Sequence, residues 1–353
     1  MLAEKYAIII KKQMNFLCSE MTFLRYFIPL IKEGNKRKIK STLIIKKNNK
    51  YNCPYRDKNA KILHKLSQAY DFEIISASKL KDEKKIFFAV DGTDCDLPKL
   101  GTKVSLDYDS GTYYDGFYSK YKNFVDFWIF PSHKWSTEFN KHPIPRPPNF
   151  QKQDYNFTNP KCLFIGSPKF DEKINPKDVL EKYSFLKNQN KKKALIFFPK
   201  PRDVKKRDLL KIYKTLKSLG YLIVVKNREK DRIEDKSLMG DYYFEDSWYP
   251  HTSMELLAIC DLVVAFSSTG ILEFVASRKP IVNFHIKPFE KHMPFLYESD
   301  FCLNEDIKKS EEELSCNINH HVSQNYFLQF NRTIEDFLPN IGNSSKLILD
   351  KLL

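Results

Sequence analysis

The chain has 353 residues, of which 42% are hydrophobic and 29% charged, and it carries a formal net charge of +15. This length exceeds what one compact core normally covers, and the composition excludes an intrinsically disordered chain, so we expect two globular domains. Lys and Arg are spread along the chain without an Arg-rich tract or a Lys block, which argues against a nucleic-acid partner. The basic surface instead suits anionic substrates and anionic membrane headgroups.

The seven cysteines form no CxxC pair and no cluster with histidine. Their odd number and irregular spacing predict reduced thiols, and neither disulfides nor a zinc site. No stretch reaches the roughly 18 apolar residues of a transmembrane helix, and the apolar run near the N-terminus is too short for a signal peptide. We therefore expect a cytoplasmic protein with, at most, a peripheral contact on the inner face of the membrane.

The first half of the chain alternates short apolar runs with amphipathic ones. Helices are predicted at 22–32 and 60–70, where apolar residues recur at helical spacing. The alternation of strands and helices predicts a parallel sheet covered on both faces. The predicted strands are 6–10, 42–45, 72–75, 86–90, 103–106, 127–130 and 161–165.

A proline-rich segment (142–150) and a lysine-dense segment (172–193) interrupt the pattern, which then begins again. We predict two Rossmann-like domains, 1–172 and 173–335, and a C-terminal helix in 336–353 that packs back on the first domain. Open α/β sheets bind ligands beyond the carboxyl ends of their strands. The predicted elements of the second half are strands at 194–198, 221–225, 262–266 and 281–284, and helices at 208–219, 253–260 and, twice, within 324–353.

The segment 261–284, DLVVAFSSTGILEFVASRKPIVNF, is predicted to be a strand, a polar turn, a helix and a second strand. Backbone N–H groups at the start of such a helix favour an anion such as a diphosphate. Glu273 follows one helical turn later, where its carboxylate could reach a ribose hydroxyl. A simple turn with an N-cap, and a capping or ion-pairing role for Glu273, remain the alternative interpretation. The turn consists of four small residues, Ser267, Ser268, Thr269 and Gly270.

This segment resembles the donor-binding signature of the GT-B superfamily, which has a strand, a Ser/Gly-rich turn, a helix with Glu and a Lys-Pro pair. The segment 164–171, FIGSPKFD, is similar to one that closes the N-terminal domain of that group, including transferases of 3-deoxy-manno-octulosonate. Ser19-Glu20 with the later Pro-Leu-Ile is more weakly similar to a stretch after the group's first strand. Two features depart from the pattern: Arg278 stands where Gly is common, and the turn lacks the paired glycines.

The resemblance implies an α/β protein with the GT-B fold, in which two Rossmann-like, doubly wound parallel-sheet domains face a cleft. The turn would hold the phosphate or diphosphate of a nucleotide-linked donor, and Glu273 its ribose. Two basic loops after strands of the second half contribute Lys200, Arg202 and Lys226, which could neutralise phosphate charge or be solvated charges.

The histidines show no metal-binding spacing. His251 precedes a helix near the turn and is a candidate contact for the donor, or else a surface turn residue. His320 and His321 lie in a polar stretch and are expected to be solvated. The resemblance implies no metal, because GT-B enzymes do not generally need one, and no cofactor, because the nucleotide-sugar is a substrate.

Catalytic candidates are carboxylates that follow strands of the first domain. Glu20 follows the first predicted strand and could deprotonate an acceptor hydroxyl, or it could be a first-turn Glu behind Ser19. Asp91 and Asp109 follow later strands and could act as the base or merely form Asx turns.

The sequence therefore predicts a glycosyltransferase that moves a sugar from a nucleotide-diphosphate or nucleotide-monophosphate donor to a glycan or lipid-linked acceptor in surface polysaccharide biosynthesis. One alternative is a CDP-glycerol-type glycerophosphotransferase, which would be expected to need histidines at the cleft. Another is a protein like the UDP-sugar 2-epimerases, although the stretch LDYDSG lacks their His-x-Glu order. A non-catalytic, nucleotide-binding GT-B protein is the fourth interpretation.

Overall fold

A computed structural model describes residues 13–48, 52–80, 85–108, 124–134, 161–187, 190–199, 203–227, 233–245, 247–268, 270–285 and 294–353. The chain divides into two compact units, each built on a parallel sheet. The first unit comprises the described parts of Met1–Pro131, Lys152–Glu172 and Asn340–Leu353, and the second those of Ser132–Gln151 and Lys173–Pro339.

The sheet of the first unit has seven strands among the described residues, in the order β3-β2-β1-β4-β5-β6-β7. The winding direction reverses between β1 and β4, where doubly wound sheets bind ligands. The strands are β1 (Gln13–Cys18), β2 (Lys40–Ile45), β3 (Glu73–Ser76), β4 (Ile86–Val90), β5 (Thr102–Leu106), β6 (Phe127–Phe130) and β7 (Lys161–Phe164). The helices are α1 (Leu24–Lys36), α2 (Asp57–Tyr70) and α11 (Ser344–Leu352), with short 3₁₀ turns at Met21–Phe23, Ala77–Lys79 and Pro168–Phe170.

The sheet of the second unit has six described strands in the order β10-β9-β8-β11-β12-β13, which reverses between β8 and β11. The strands are β8 (Lys193–Phe197), β9 (Leu222–Lys226), β10 (Tyr242–Phe244), β11 (Leu262–Ala265), β12 (Ile281–Phe284) and β13 (Cys302–Glu305). The helices are α3 (Pro176–Lys182), α4 (Ser184–Lys187), α5 (Lys206–Ser218), α6 (Thr252–Ile259), α7 (Ile271–Ser277), α8 (Pro294–Tyr297), α9 (Glu311–Ser323) and α10 (Phe327–Phe337), with a 3₁₀ turn at Lys236–Leu238.

Both sheets are parallel throughout their described pairings, which confirms the expected α/β class. The central strands β11 and β12 are buried at every position, as expected when helices cover both faces of a sheet. Within the described ranges, no helix combines the length and apolar character needed to cross a bilayer.

Some elements differ from the sequence-based expectation. The strand before the first helix is Gln13–Cys18. It was not predicted, because the polar Gln13 and Asn15 interrupt its apolar pattern. The predicted strand at 6–10 lies outside the described residues. The strands β10 and β13 and the helix α9 were not predicted. The expectation of a solvated histidine pair is wrong for His321, which is buried and hydrogen-bonded through Nδ1 to the Tyr326 hydroxyl at 2.8 Å.

The segment FIGSPKFD connects to the C-terminal helix within the first unit. The carboxylate of Asp171 accepts the backbone N–H groups of Ser344 and Ser345, and so caps the start of α11. The side-chain amide of Asn340 donates to the Ile165 carbonyl at 2.7 Å. Asp171 therefore satisfies amide groups that the first turn of α11 cannot pair within the helix.

The lysine-dense segment after Glu172 contains two short helices that pack in the second unit. The buried carboxylate of Glu255, on α6, accepts hydrogen bonds from Lys182 Nζ at 2.7 Å and from the Tyr183 hydroxyl at 2.8 Å. The apolar side chains of Val179 and Leu186 are buried. This segment is thus anchored by both a charge pair and apolar packing.

Candidate functional site

The polar turn of the second unit follows β11, at the point where the order of the strands reverses. Ser267 takes a left-handed backbone conformation with φ of 48°, and its N–H donates to Asn283 Oδ1 at 2.7 Å. The N–H of Gly270 donates to Ser268 Oγ at 3.2 Å. Thr269 lies outside the described residues. The turn therefore stands at the carboxyl edge where doubly wound sheets bind ligands.

Close packing at Gly270 favours a small residue in this turn, whereas its φ of −75° suits any residue. A Cβ atom there would lie only 3.2 Å from the Phe274 ring. The left-handed conformation instead falls on Ser267, although it is disfavoured for an L-amino acid with a side chain. The hydrogen bond to Asn283 helps to hold that conformation. This explains how the turn forms without the paired glycines of the family pattern.

The structure brings Glu273 and His251 together beside this turn. Glu273 lies in the first turn of α7 and only 4% of it is exposed. His251 immediately precedes α6, and its Nδ1 lies 3.9 Å from Glu273 Oε2. The His251 side chain is largely buried, so it is not the surface turn residue of the alternative interpretation. The position of this pair beside the turn, at the carboxyl edge where the strand order reverses, makes it a candidate binding site.

Of the three predicted basic residues, only Lys226 lies within the described residues, and its strand is not adjacent to β11. Lys226 is the last residue of β9, and its ammonium group is buried and donates to the Asn227 carbonyl at 2.7 Å. It is therefore not a solvated charge. The strand β8 separates β9 from β11 and its turn. Lys200 and Arg202 lie outside the described residues.

Two of the predicted carboxylates lie at the carboxyl edge of the first sheet. Glu20 and Asp91 follow the neighbouring strands β1 and β4, where that sheet also reverses its order. Asn52 Nδ2 donates to Glu20 Oε2 at 2.7 Å, and Asp91 Oδ1 accepts the Tyr108 N–H at 2.9 Å. Asp109 lies outside the described residues.

The local backbone distinguishes the roles of these two acids. Glu20 has an extended backbone, with φ of −139°, and precedes the 3₁₀ turn, so it is not a first-turn residue behind Ser19. Asp91 is buried in a left-handed conformation and closes a loop through its bond to Tyr108. Asp91 therefore has a structural role in closing this loop, although its bond to Tyr108, 17 residues away, is not the local Asx turn considered from the sequence.

Four polar residues at these two edges were not singled out from the sequence: Asn52, Asn283, Tyr297 and Asn304. Asn52 holds the Glu20 carboxylate, and the other three contact the turn after β11 or each other. Asn283 is a polar residue inside an otherwise apolar strand, and that interruption is the sequence signal that could have identified it.

Possible metal ligands and cysteine thiols are the remaining side chains to consider at the two edges. Among the described residues, no group of three or more His, Cys, Asp or Glu side chains could hold a metal ion. All seven cysteines are free. Cys18 ends β1, and burial raises its pKa well above that of an ordinary thiol. It therefore stays protonated and is a poor nucleophile.

The sequence matches no protein-family model and none of the curated proteins compared with it. The wall teichoic acid polymerase TagF superposes with a TM-score of 0.63 at 13% identity, over 96% of this chain and 87% of that chain. A Listeria monocytogenes protein assigned as a UDP-N-acetylglucosamine 2-epimerase gives 0.60 at 11% identity, over 96% and 95%. MnaA of S. aureus, solved with UDP, gives 0.56 at 9% identity, over 97% and 96%.

The chain has the GT-B fold. The expected GT-B architecture of two parallel-sheet domains is confirmed by these superpositions and by the two sheets themselves. Sequence identities of 9–13% show the fold and nothing further. In GT-B terms, the turn after β11 lies in the second Rossmann-like unit, and Glu20 lies in the first.

Proposed function

We propose that this GT-B protein is a glycosyltransferase that moves a sugar from a nucleotide-linked donor to a glycan or lipid-linked acceptor in surface polysaccharide biosynthesis. The observation that carries the proposal is the buried Glu273–His251 pair beside the turn after β11, at the point of strand reversal. Similar folds have been solved with such ligands: MnaA with UDP, and a TagF variant soaked with CDPG. The net charge of +15 would suit cytoplasmic work beside an anionic membrane.

The proposed donor site uses short-range contacts to the nucleotide. Glu273 accepts a hydrogen bond from a ribose hydroxyl, and His251 contacts the base or the phosphate. The basic residues Lys200, Arg202 and Lys226 supply positive charge to the departing phosphate. The phosphate or diphosphate is held by the turn itself: Ser267, Ser268, Thr269 and Gly270.

The proposed acceptor side uses Glu20 as the general base. The Asn52 amide fixes one oxygen of its carboxylate. As the acceptor hydroxyl transfers its proton to Glu20, the oxygen of that hydroxyl attacks the anomeric carbon of the sugar. The bond between that carbon and the donor phosphate breaks, and the nucleotide leaves with its phosphate oxygen. Asp91 and Asp109 are the secondary candidates for this base.

A second candidate function is polyol-phosphate transfer from a CDP-linked donor. The likeness to TagF, with a TM-score of 0.63, and the position of His251 beside Glu273 favour it. The two reactions release different products. Transfer of a sugar from a nucleoside-diphosphate donor breaks a carbon–oxygen bond and releases the nucleoside diphosphate. Transfer of a polyol phosphate breaks a phosphorus–oxygen bond and releases CMP.

The test incubates the full chain with UDP-sugars or with CDP-glycerol, each with glycan acceptors and with water as the acceptor for donor hydrolysis, and identifies the released nucleotide. We expect UDP from the sugar donor, and we expect Glu20→Gln to lower that release by about 100-fold or more while nucleotide binding persists. Release of CMP that is lost in His251→Ala would support the second function instead. Conversion of the UDP-sugar to its 2-epimer, or nucleotide binding without any turnover, would contradict transferase activity.

A further inference from the structure

The turn after β11 is held by a closed ring of side-chain hydrogen bonds. The Ser267 N–H donates to Asn283 Oδ1 at 2.7 Å, and Asn283 Nδ2 donates to Asn304 Oδ1 at 3.0 Å. The Asn304 Nδ2 group donates to the Tyr297 carbonyl, and the Tyr297 hydroxyl donates to the Ser268 carbonyl at 2.6 Å. The ring thus begins and ends on adjacent residues of the turn.

Two of the three side chains in the ring are buried, Asn304 is partly buried, and the ring draws on three separate elements. Asn283 lies on β12 with 1% of its surface exposed, Asn304 on β13, and Tyr297 at the end of α8 with 4% exposed. A buried amide or phenol that lost its partner would leave a costly unsatisfied polar group. Because the Ser267 N–H can only donate, the orientation of both amide groups along the ring is determined by the network.

The ring acts where the backbone is strained. Ser267 has a φ of 48°, a conformation that residues other than glycine rarely adopt. One bond of the ring holds the N–H of this residue, and another holds the carbonyl of the next residue, Ser268. The backbone between these two bonds cannot relax towards a commoner conformation without breaking at least one of them.

We propose that Asn283, Asn304 and Tyr297 are positioning residues that hold the turn in the shape that binds the phosphate groups of a nucleotide-linked donor. This inference rests on the proposed function, since it assigns a purpose to the turn of that site. The three side chains act through the turn and need not touch the donor. Loss of one bond lets Ser267 and Ser268 relax and weakens phosphate binding.

The test is Tyr297→Phe in the full chain, with Tyr213→Phe as the matched control. The Tyr213 hydroxyl also donates to a backbone carbonyl, that of Leu238, at 2.8 Å, and Tyr213 is 5% exposed in the same unit. The probe is whichever of UDP, CDP, CMP, GDP and TDP the wild-type chain binds, and its Kd is measured by calorimetry. We expect Tyr297→Phe to raise that Kd by about tenfold and Tyr213→Phe to leave it unchanged.

A double variant tests whether the ring acts as one unit. Asn304→Ala alone should also raise the Kd by about tenfold, and Tyr297→Phe with Asn304→Ala should bind no more weakly than either single variant. If the losses of binding free energy in the two single variants add up in the double variant, the hydrogen bonds of the ring do not act as one unit. If Tyr297→Phe does not fold, Asn304→Ala with an unchanged Kd still overturns the inference.

The outcomes separate this inference from the proposed function. If the wild-type chain binds a nucleotide and Tyr297→Phe binds it equally well, the positioning role is wrong and the proposed function stands. An equal loss of affinity in Tyr213→Phe would show a general effect of destabilisation and would also overturn the positioning role. If the wild-type chain binds none of the five nucleotides, both proposals fail.

Discussion

Glu273 is the residue on which the donor site depends most directly. Changing Glu273→Gln keeps the shape of the side chain but removes its charge. A hydrogen bond to a charged group contributes about 1.5–3 kcal/mol, so we expect nucleotide affinity to fall by about 10- to 100-fold. Calorimetric titration of the full chain measures this change.

Glu255→Gln is the control for loss of a buried carboxylate. Glu255 is 5% exposed, against 4% for Glu273, but its partners are Lys182 and Tyr183 in the same unit. This variant should lower the free energy of unfolding because it removes the charge of a buried carboxylate that holds the partly exposed Lys182 and the Tyr183 hydroxyl. Its nucleotide affinity should match that of the wild type. If Glu273→Gln binds the nucleotide as tightly as the wild type, Glu273 does not contact the nucleotide.

His321 gives the stability of the second unit a dependence on pH. Burial lowers its pKa below the ordinary value of 6.5. The unfolded chain therefore binds the proton more readily, and the free energy of unfolding falls as the pH drops from about 7 through the folded pKa. The neutral imidazole keeps its bond to Tyr326 above that range.

The measurement is urea unfolding at several pH values between about 7.5 and 5. We expect His321→Gln to reduce the loss of stability on acidification. The neighbouring His320 is exposed, so His320→Gln should leave the wild-type pH dependence in place. An identical pH dependence in wild type and His321→Gln would show that another group is responsible.

Among the elements, α11 depends on a cap from a distant part of the sequence. We predict that Asp171→Ala lowers the free energy of unfolding of the first unit by about 0.5–2 kcal/mol, the usual range for loss of a helix cap. Hydrogen exchange should show the amides of Ser344 and Ser345 losing protection first, because they lose their acceptor.

The adjacent Glu172 supplies the control for this prediction. Its carboxylate pairs with Lys32 Nζ at 2.7 Å, but both side chains are partly exposed. Exposed ion pairs contribute less than about 1 kcal/mol, so Glu172→Ala should change stability little and leave α11 protected. Unchanged protection of α11 in Asp171→Ala would contradict the capping role.

Apolar periodicity was enough to predict most of the core elements. The bounds of β4, β6 and β12 coincide with the predicted 86–90, 127–130 and 281–284, since each is a run of apolar residues that only Asn283 in β12 interrupts. The missed elements lack that signal. The strand β13 contains Asn304 and Glu305, β10 has only three residues, and α9 buries few apolar side chains along a polar sequence.

The candidate site was predictable in part. The small residues of the turn and the nearby Glu273 stand out along the chain, because their spacing is local. Tyr297 and Asn304 do not, because their importance comes from partners on other elements that only the fold brings together. The proximity of His251 to Glu273 depends in the same way on the packing of α6 beside α7.

At the scale of the whole molecule, two sheets with the same winding order provide two carboxyl edges with different chemistry. The edge of the first sheet carries Glu20 and Asp91, and the edge of the second carries the turn, His251 and Glu273. The function proposed here assigns the acceptor hydroxyl to the first edge and the nucleotide to the second. Nucleotide binding is the part that can be tested without knowing the acceptor.

The central claim is that the second unit binds a nucleotide, and a thermal-shift measurement of the full chain with UDP, CDP, CMP, GDP and TDP tests it most directly. A ligand at 100 times its Kd stabilises the folded protein by about 2.7 kcal/mol, which raises Tm by several degrees. We predict that at least one of these nucleotides raises Tm in the wild type, and that Glu273→Gln needs a higher concentration for the same shift. An unchanged Tm with all five nucleotides at millimolar concentration would contradict the account.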